Sequence, residues 1–432
     1  MIKKLLTVYS SNFLLGLLGI ITVPILLRNI GTDGYGFYAL YLTIASYFTI
    51  FELGVIKHLI GLIAQKSNKV DELISNFYYV TIAMVTLCIP IIIVIMILII
   101  DGDWKKGVFI GIISSVEYMF FLPTKIYSAY ARAHKNFERL SLFNSISGFL
   151  RYAILILGSL FTHNVYILIT LIALRRLFDV KLSKTILKED LGIFNFRSLS
   201  SSNIKKVLGL YKESISLSIT QALQINLNGM ISVIISMLFG LQGLGVYRST
   251  YDFLSKIWFF SNGLGMVAFS YFASNPLGIN KNKKFISISW IFYTLLYIAL
   301  ILIYPWVNKY VLNGILTSKE DILLYVFMLI TVLLIAQGNL SYEYLQAKGK
   351  YKFLMIVSIV TNISFIILTI ITYNFSSNPS TVILSWMISI IIQTVIFERK
   401  TLEGNNAIFF LSTLLIIIWL LISNFSYRLG LF

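Results

Sequence analysis

The chain has 432 residues, of which 58% are hydrophobic and only 12% are charged. Soluble domains contain about 25% charged residues, so this composition excludes an ordinary soluble enzyme and also a disordered chain. Apolar runs of about twenty residues, the length that crosses a bilayer as a helix, recur along the whole sequence. The net charge of +17 would suggest nucleic acid in a soluble protein. In a polytopic membrane protein it indicates basic cytoplasmic loops, and no nucleic-acid partner is expected.

The apolar runs predict thirteen membrane spans, separated by short connections and one longer polar stretch at 179–208. In chain order they cover residues 5–27, 36–63, 77–100, 107–131, 140–161, 163–178, 209–239, 246–272, 285–308, 322–346, 353–373, 380–397 and 406–426. With the N-terminus in the cytoplasm, the inside loops carry most of the 35 lysines and arginines. This asymmetry predicts a cytoplasmic N-terminus.

A glycine motif occurs twice, in the connections after the first and seventh spans. Its copies read Gly31-Thr32-Asp33-Gly34-Tyr35-Gly36 and Gly240-Leu241-Gln242-Gly243-Leu244-Gly245. No strand precedes either copy, so neither is a nucleotide-binding loop. The pattern predicts tight turns that need positive φ and close backbone approach, formed by Gly31, Gly34 and Gly36 and by Gly240, Gly243 and Gly245.

Two further matches indicate that the chain contains an internal repeat. Phe51-Glu52-Leu53-Gly54 falls on Phe260-Ser261-Asn262-Gly263 at the same offset as the glycine motif, and Tyr130-Ala131-Arg132-Ala133 matches Tyr344-Leu345-Gln346-Ala347. The repeat predicts twelve core helices in two parallel six-helix lobes, an arrangement that transporters use around a central substrate. The predicted parts are the N-terminal lobe 1–178, a basic cytoplasmic linker 179–208, the C-terminal lobe 209–400, and an extra helix in 401–432.

Several ionisable residues lie inside predicted spans, where each costs about 2.5–3.5 kcal/mol. They are the cations Lys57, Lys125, Arg151, Arg248 and Lys256 and the acids Glu52, Glu117 and Asp252. Arg248, Asp252 and Lys256 are spaced to share one helix face, and the seventh span adds a polar stripe that includes Gln224 and Asn228.

These polar residues allow two interpretations. They either form interhelical ion pairs and hydrogen bonds, or they line a hydrated lumen. A lumen with excess cations suits an anionic head group such as a phosphate or pyrophosphate, whereas a site for cationic drugs would have excess acids.

No pattern predicts an enzyme, a metal site or a bound cofactor. The histidines lack metal-ligand spacing, and no arrangement indicates a serine or cysteine triad. A transporter is therefore expected in preference to an enzyme.

One stretch of the sequence is similar to a known family. Pro24, the run Leu27-Arg28-Asn29-Ile30-Gly31-Thr32-Asp33-Gly34-Tyr35-Gly36 and Phe51-Glu52-Leu53-Gly54 resemble Wzx-type polysaccharide repeat-unit flippases. These belong to the MOP superfamily with the MATE exporters and the lipid II flippases. The resemblance implies a V-shaped pair of lobes. It also implies translocation of an undecaprenyl-pyrophosphate-linked oligosaccharide, an O-antigen or capsule unit, from the cytoplasmic to the periplasmic leaflet.

The resemblance also assigns roles to the residues inside the spans. The cations would meet the pyrophosphate, and an H⁺ or Na⁺ gradient would drive alternating access, with Glu52, Glu117 or Asp252 as coupling carboxylates. A polysaccharide polymerase and a chain-length regulator are the implied partners.

Three other functions remain open from the sequence, one of them a channel, for which no selectivity-filter sequence appears. Another is a MATE-like antiporter for cations or drugs, against which the excess of cations argues. The third is a membrane-embedded polysaccharide polymerase, which would be expected to carry a large external loop. The longest external loop predicted here is the short segment 309–321.

Overall fold

The computed structural model describes residues 2–52, 55–56, 63, 70–100, 102–134, 136–187, 201–258, 292–293, 295–375 and 377–401. Regular structure in this described part is helical throughout. The predicted thirteenth span, 406–426, lies outside the described residues.

The helices of the first half are α1 (Ile2–Tyr47), a 3₁₀ turn (Phe48–Glu52), α2 (Val70–Ile99), α3 (Trp104–Ala133), α4 (Phe137–Phe161) and α5 (Val165–Leu187). They are followed by α6 (Ser201–Leu254), a 3₁₀ turn (Ser255–Ile257), α7 (Tyr304–Tyr310), α8 (Lys319–Ala347), α9 (Tyr351–Phe375) and α10 (Pro379–Thr401). Residues 295–302 are also helical.

Eight helical segments within the described residues are long and apolar enough to cross a membrane. One face of α2 exposes Leu87, Ile91, Val94 and Leu98, large apolar side chains at helical spacing. A water-soluble protein would bury such an apolar stripe, whereas in a membrane protein the stripe can face the lipid. The chain is a multi-pass membrane protein.

The predicted first span, 5–27, and the beginning of the second, residues 36–47, lie in one kinked helix. Within α1 the chain turns at Gly31, whose φ is 71°, and within α6 it turns at Gly240, whose φ is 67°. Side chains other than glycine rarely adopt this conformation. Gly34 and Gly243 have no positive φ. A Cβ at Gly34 would lie 3.1 Å from the Ile30 Cβ, so this glycine leaves room for the preceding helical turn.

The two kinked helices approach each other through Gly36 and Gly245. A Cβ at Gly36 would overlap the carbonyl oxygen of Leu241, and a Cβ at Gly245 would overlap the carbonyl oxygen of Thr32. Leu241 and Gly245 occupy the positions in the second motif that Thr32 and Gly36 occupy in the first. The contact is therefore reciprocal, as expected when two copies of one motif pack together.

Both kinked helices also end in the same way. Ser46 Oγ donates a hydrogen bond of 2.6 Å to the Thr43 carbonyl, and Ser255 Oγ donates one of 3.3 Å to the Asp252 carbonyl. Hydroxyls that bond to nearby carbonyls compete with regular helix geometry. Each helix accordingly changes to a 3₁₀ turn, where the sequence predicts one continuous span.

The predicted parallel repeat is confirmed by the helix bounds. Adding 214 to the ends of α4 (Phe137–Phe161) gives those of α9 (Tyr351–Phe375), and adding 214 to those of α5 (Val165–Leu187) gives those of α10 (Pro379–Thr401). The packing also matches, because α5 contacts α3 and α4 as α10 contacts α8 and α9.

The contacts divide the chain into two compact units, Met1–Arg248 and Ser249–Phe432. Helix occupies part of the predicted linker 179–208, because α5 continues to Leu187 and α6 begins at Ser201. The continuation of α5 follows from its buried face, on which Arg175, Asp179, Ser183 and Leu187 recur at every fourth residue. The lobe boundaries at 178 and 209 stay a prediction.

Candidate functional site

Glu52 ends the 3₁₀ turn after α1, where its carboxylate is buried against α3. Lys125 Nζ lies 3.3 Å from Glu52 Oε1, and Tyr118 Oη donates a hydrogen bond of 3.4 Å to the same oxygen. Tyr118 and Lys125 are seven residues apart, two helical turns, so both face Glu52 from α3. We call Glu52 and Lys125 the Glu52 pair.

Glu117, the residue before Tyr118 on α3, is held in a similar way by different residues. Arg176 Nε of α5 donates a hydrogen bond of 2.9 Å to Glu117 Oε1, and Tyr41 Oη of α1 donates to Oε2. The carboxylate therefore connects three helices. Its distance to Arg176 is typical of a well-formed charge-assisted hydrogen bond.

The arginine that binds Glu117 also belongs to a buried cluster on α5. Asp179 Oδ2 lies 3.2 Å from Arg176 Nη1 and 3.1 Å from Arg175 Nη2. Arg175 Nη1 donates a hydrogen bond of 2.7 Å to the Ser147 carbonyl of α4. We call Tyr41, Glu117, Arg175, Arg176 and Asp179 the Glu117 network.

Phe121 lies between these two sets of charges on α3. Its ring centroid is 5.0 Å from Lys125 Nζ and 4.2 Å from Arg176 Cζ. Both cations are within the range in which an aromatic face attracts positive charge. Glu117, Phe121 and Lys125 share one face of α3, as the sequence predicts.

Among Lys125, Arg151, Arg175 and Arg176, Arg151 is the cation without an ion pair. Its Nη2 donates a hydrogen bond of 3.2 Å to Tyr38 Oη, and it forms no ion pair with any of the described residues. The side chain is partly exposed. It lies about 21 Å along α4 from Phe137 and about 15 Å from Phe161, far from both helix ends.

The remaining predicted residues belong to the second half of the sequence. Arg248 and Asp252 lie on α6, which ends at Leu254, and Lys256 lies on the following 3₁₀ turn. The three residues therefore do not continue along one α-helical face. Each of them is partly exposed and has interaction partners.

Three predicted residues lie outside what the structure describes. The side chains of Gln224 and Asn228 are outside it, although both residues are on α6, and Lys57 is outside it entirely.

Sequence reasoning missed six members of the site: Tyr38, Tyr41, Tyr118, Arg175, Arg176 and Asp179. The spacing of Arg175 and Asp179, i and i+4 in a helical pattern, is a signal for an ion pair that could have identified two of them. The Glu52 pair, the Glu117 network and Arg151 together contain four cations and three carboxylates, and each of these carboxylates already has a cation within 4 Å. Such an arrangement can accept an anion more readily than another cation.

A family model of the polysaccharide biosynthesis proteins matches residues 1–276. The chain belongs to this family. The match covers the glycine motifs and every described residue of the Glu52 pair and the Glu117 network. No curated protein sequence matches the chain.

Solved structures of MOP superfamily proteins share the fold. The lipid II flippase MurJ in its inward closed conformation is 15% identical with a TM-score of 0.70, over 98% of this chain and 99% of that one. An inward-facing multidrug resistance MATE family transporter is 12% identical with a TM-score of 0.68, over 93% of this chain and 100% of that one.

A third similar structure is a MOP superfamily transporter from Pyrococcus furiosus, in which the reverse polarity of the binding pocket suggests a different function. It is 13% identical with a TM-score of 0.57, over 94% of each chain. At these identities the three structures show that the chain shares their fold.

Proposed function

We propose that this protein is a flippase that moves a pyrophosphate-linked oligosaccharide on an undecaprenyl lipid from the cytoplasmic to the periplasmic leaflet. The oligosaccharide would be an O-antigen or capsule repeat unit, moved by alternating access between lobes 1–178 and 209–400. The family match to polysaccharide biosynthesis proteins and the fold shared with a lipid II flippase support this proposal.

The observation that carries the proposal is the environment of Arg151. A guanidinium deep in an apolar helix is costly without a counter-charge. Arg151 is hydrogen-bonded to the neutral Tyr38 hydroxyl, and the carboxylate that acts on it electrostatically, Glu117, is already bound by Arg176. A phosphate oxygen would supply that charge through a charge-assisted hydrogen bond. A cationic drug would instead need a carboxylate without a cation, and the three carboxylates of this site are engaged. This favours the flippase over the MATE-like antiporter.

The rest of the proposed mechanism follows the same orientation. The N-terminus would be cytoplasmic in a bacterial inner membrane, and an H⁺ or Na⁺ gradient would drive export. A polymerase and a chain-length regulator would use the exported units. Lys256 and Arg248 would extend the cationic lumen into the C-terminal lobe.

The test replaces Arg151 in cells for which this protein is the sole flippase of a surface polysaccharide. We expect Arg151→Glu to reduce surface polysaccharide at least about tenfold, because the anion loses its partner and meets a like charge. Arg151→Lys keeps the charge and should retain most export. Lys256→Glu should reduce export to a similar extent, because it too places a negative charge where the anion is expected.

The matched control is Arg132→Gln, which removes an exposed cation from the end of α3. This variant should export normally, and all variants should reach wild-type levels in the membrane. Full surface polysaccharide in the Arg151→Glu cells would overturn the proposal.

A further inference from the structure

Two glutamates in the first unit have nearly the same surroundings. Glu52 is bound by Lys125 and Tyr118, and Glu117 is bound by Arg176 and Tyr41. Each carboxylate thus has one cation and one phenol. The difference between them lies in what else the cation binds.

Arg176 is fixed by two carboxylates, because it also binds Asp179. Lys125 has no second carboxylate among the described residues. Its nitrogen is 3.3 Å from Glu52, against 2.9 Å between Arg176 and Glu117, and its side chain is 32% exposed against 18%. Lys125 is therefore the cation whose ion pair can be exchanged.

The exposed part of Lys125 indicates where an incoming ligand would approach. Lys125 lies about 12 Å along α3 from its end at Ala133. An ammonium exposed to hydrocarbon at that depth would be costly, so exposed lysines within spans usually face a water-filled cavity. The Glu52 side chain is only 10% exposed. An anion can thus reach the lysine more easily than the glutamate.

We propose that Lys125 is an anion site masked by Glu52, and that a phosphate anion and a proton bind together, the anion to Lys125 and the proton to Glu52. This rests on the proposed function, because the anion is taken to be the pyrophosphate diester of the lipid-linked sugar. The proton comes from the aqueous phase and forms an O–H bond on the Glu52 carboxylate. No other bond changes.

The linkage follows from the charges around Glu52. Among the described residues, three titratable groups face Glu52: Lys125 and Tyr118 of α3 and Tyr211 of α6. Tyr211 is also hydrogen-bonded to Thr81 of α2. Lys125 is the only cation among them. When an anion takes Lys125, Glu52 is left buried without a counter-charge and gains by protonation. By reciprocity, protonation of Glu52 strengthens anion binding.

This linkage gives Glu52 a role in substrate capture. A proton that binds with the substrate would leave the cytoplasmic side together with it. An inward proton gradient cannot drive export through such a proton, so Glu52 acts as a mask for Lys125 and does not couple transport to that gradient.

The experiment measures the affinity of the full-length protein in nanodiscs for a short-chain isoprenyl pyrophosphoryl sugar. This probe is a pyrophosphate diester, so its charge does not change between about pH 5 and about pH 8, and pH acts on the protein alone. The wild type should bind more tightly as the pH falls. Glu52→Gln should bind about tenfold more tightly than the wild type at the higher pH and should lose the pH dependence.

Two further variants separate this linkage from a structural effect. Lys125→Gln should bind weakly at every pH, and adding Glu52→Gln to it should change nothing, because the two residues act as a unit. Glu117→Gln is the matched comparison: it removes the similarly placed carboxylate, but Arg176 keeps Asp179. The pH dependence of binding should persist in this variant.

The outcomes distinguish this inference from the proposed function. If the wild type binds the probe and Arg151→Gln weakens binding, but Glu52→Gln neither tightens it nor removes its pH dependence, the masked site is wrong and the flippase proposal stands. If the wild type does not bind the probe at either pH, both are wrong.

Discussion

The two halves of the chain use matching helices for different chemistry. With the offset of 214 that relates α5 to α10, Glu117 corresponds to Thr331 and Lys125 to Asn339. Arg151 corresponds to Phe365, which is fully buried. The charges of the first half have no charged counterpart at these positions in the second.

The charged residues of α5 also lack charged counterparts in α10. The residues of α10 that correspond to Arg175, Arg176 and Asp179 are Ser389, Ile390 and Gln393. Because α10 packs on α8 and α9 without these charges, the charges are not needed to hold three such helices together. The comparison teaches that the two halves share a helical scaffold and differ in the charges it carries, because at these positions only the first half has charged residues.

The largest expected effect comes from breaking the Glu117 network at one residue. Arg176→Ile would leave two buried carboxylates, Glu117 and Asp179, with less compensation, and should lower the free energy of unfolding by about 3–5 kcal/mol. Thermal unfolding of the protein purified in nanodiscs measures the loss.

A second variant replaces four charged residues of the Glu117 network by the residues found at the corresponding positions of the second half. The variant with Glu117→Thr, Arg175→Ser, Arg176→Ile and Asp179→Gln removes two positive and two negative charges and leaves none unpaired. It should recover most of the stability that Arg176→Ile loses. If the fourfold variant is as unstable as the single one, the charges of the first half are structural after all.

The sequence predicts the charged residues of the site well where the surroundings are apolar. Glu117, Lys125 and Arg151 stand out because a charge inside an apolar run has no other explanation. Arg175 and Asp179 were missed because they border a lysine-rich stretch, where charges are usually solvated.

Pairing between helices could not be predicted at all. Glu117 meets Arg176 and Tyr41 because α1, α3 and α5 pack together, and no periodicity within one helix records that packing. The repeat is different, since its signal lies in local turn chemistry. Gly31 and Gly240 identify the kinks directly, because a backbone position with positive φ strongly favours glycine.

A further prediction tests a feature that the two halves share, the close contact between their glycine motifs. Gly36→Ala and Gly245→Ala each place a Cβ against a backbone carbonyl of the other motif. Backbone oxygens cannot rotate away, so the helices must separate, at a loss of about 1–3 kcal/mol. The two variants should lose similar stability, unlike variants of the charged residues, whose effects belong to the first half.

The control for this pair is Gly16→Ala in α1. A Cβ at Gly16 meets nothing within 4 Å, and alanine is the better helix former, so stability should be unchanged or slightly higher. A large loss in one glycine variant with none in the other would contradict the reciprocal contact.

The smallest expected effect concerns how the two halves begin equivalent helices. Ser318 caps α8 by accepting a hydrogen bond of 3.1 Å from the Asp321 amide, while Asp103 caps α3 by accepting one of 3.1 Å from the Lys106 amide. Ser318→Ala should lower stability by about 1 kcal/mol. Thr317→Ala, beside it, should have little effect, because the contact of Thr317 with Asp321 is through its backbone amide.

The stability that Asp103 gives to α3 should depend on pH, whereas the neutral Ser318 hydroxyl that caps α8 does not titrate. The backbone amide and side chain of Lys106 hold the pKa of Asp103 below its usual value. A lowered pKa in the folded state means that the stabilisation is complete above the unfolded-state pKa of about 3.9 and is lost as the pH falls through the folded one. Asp103→Ser gives α3 the neutral cap of α8 and should remove this part of the acid sensitivity. Unfolding curves of wild type and variant at successively lower pH would show the difference shrinking, and a constant difference would mean that the Asp103 charge contributes nothing to the cap.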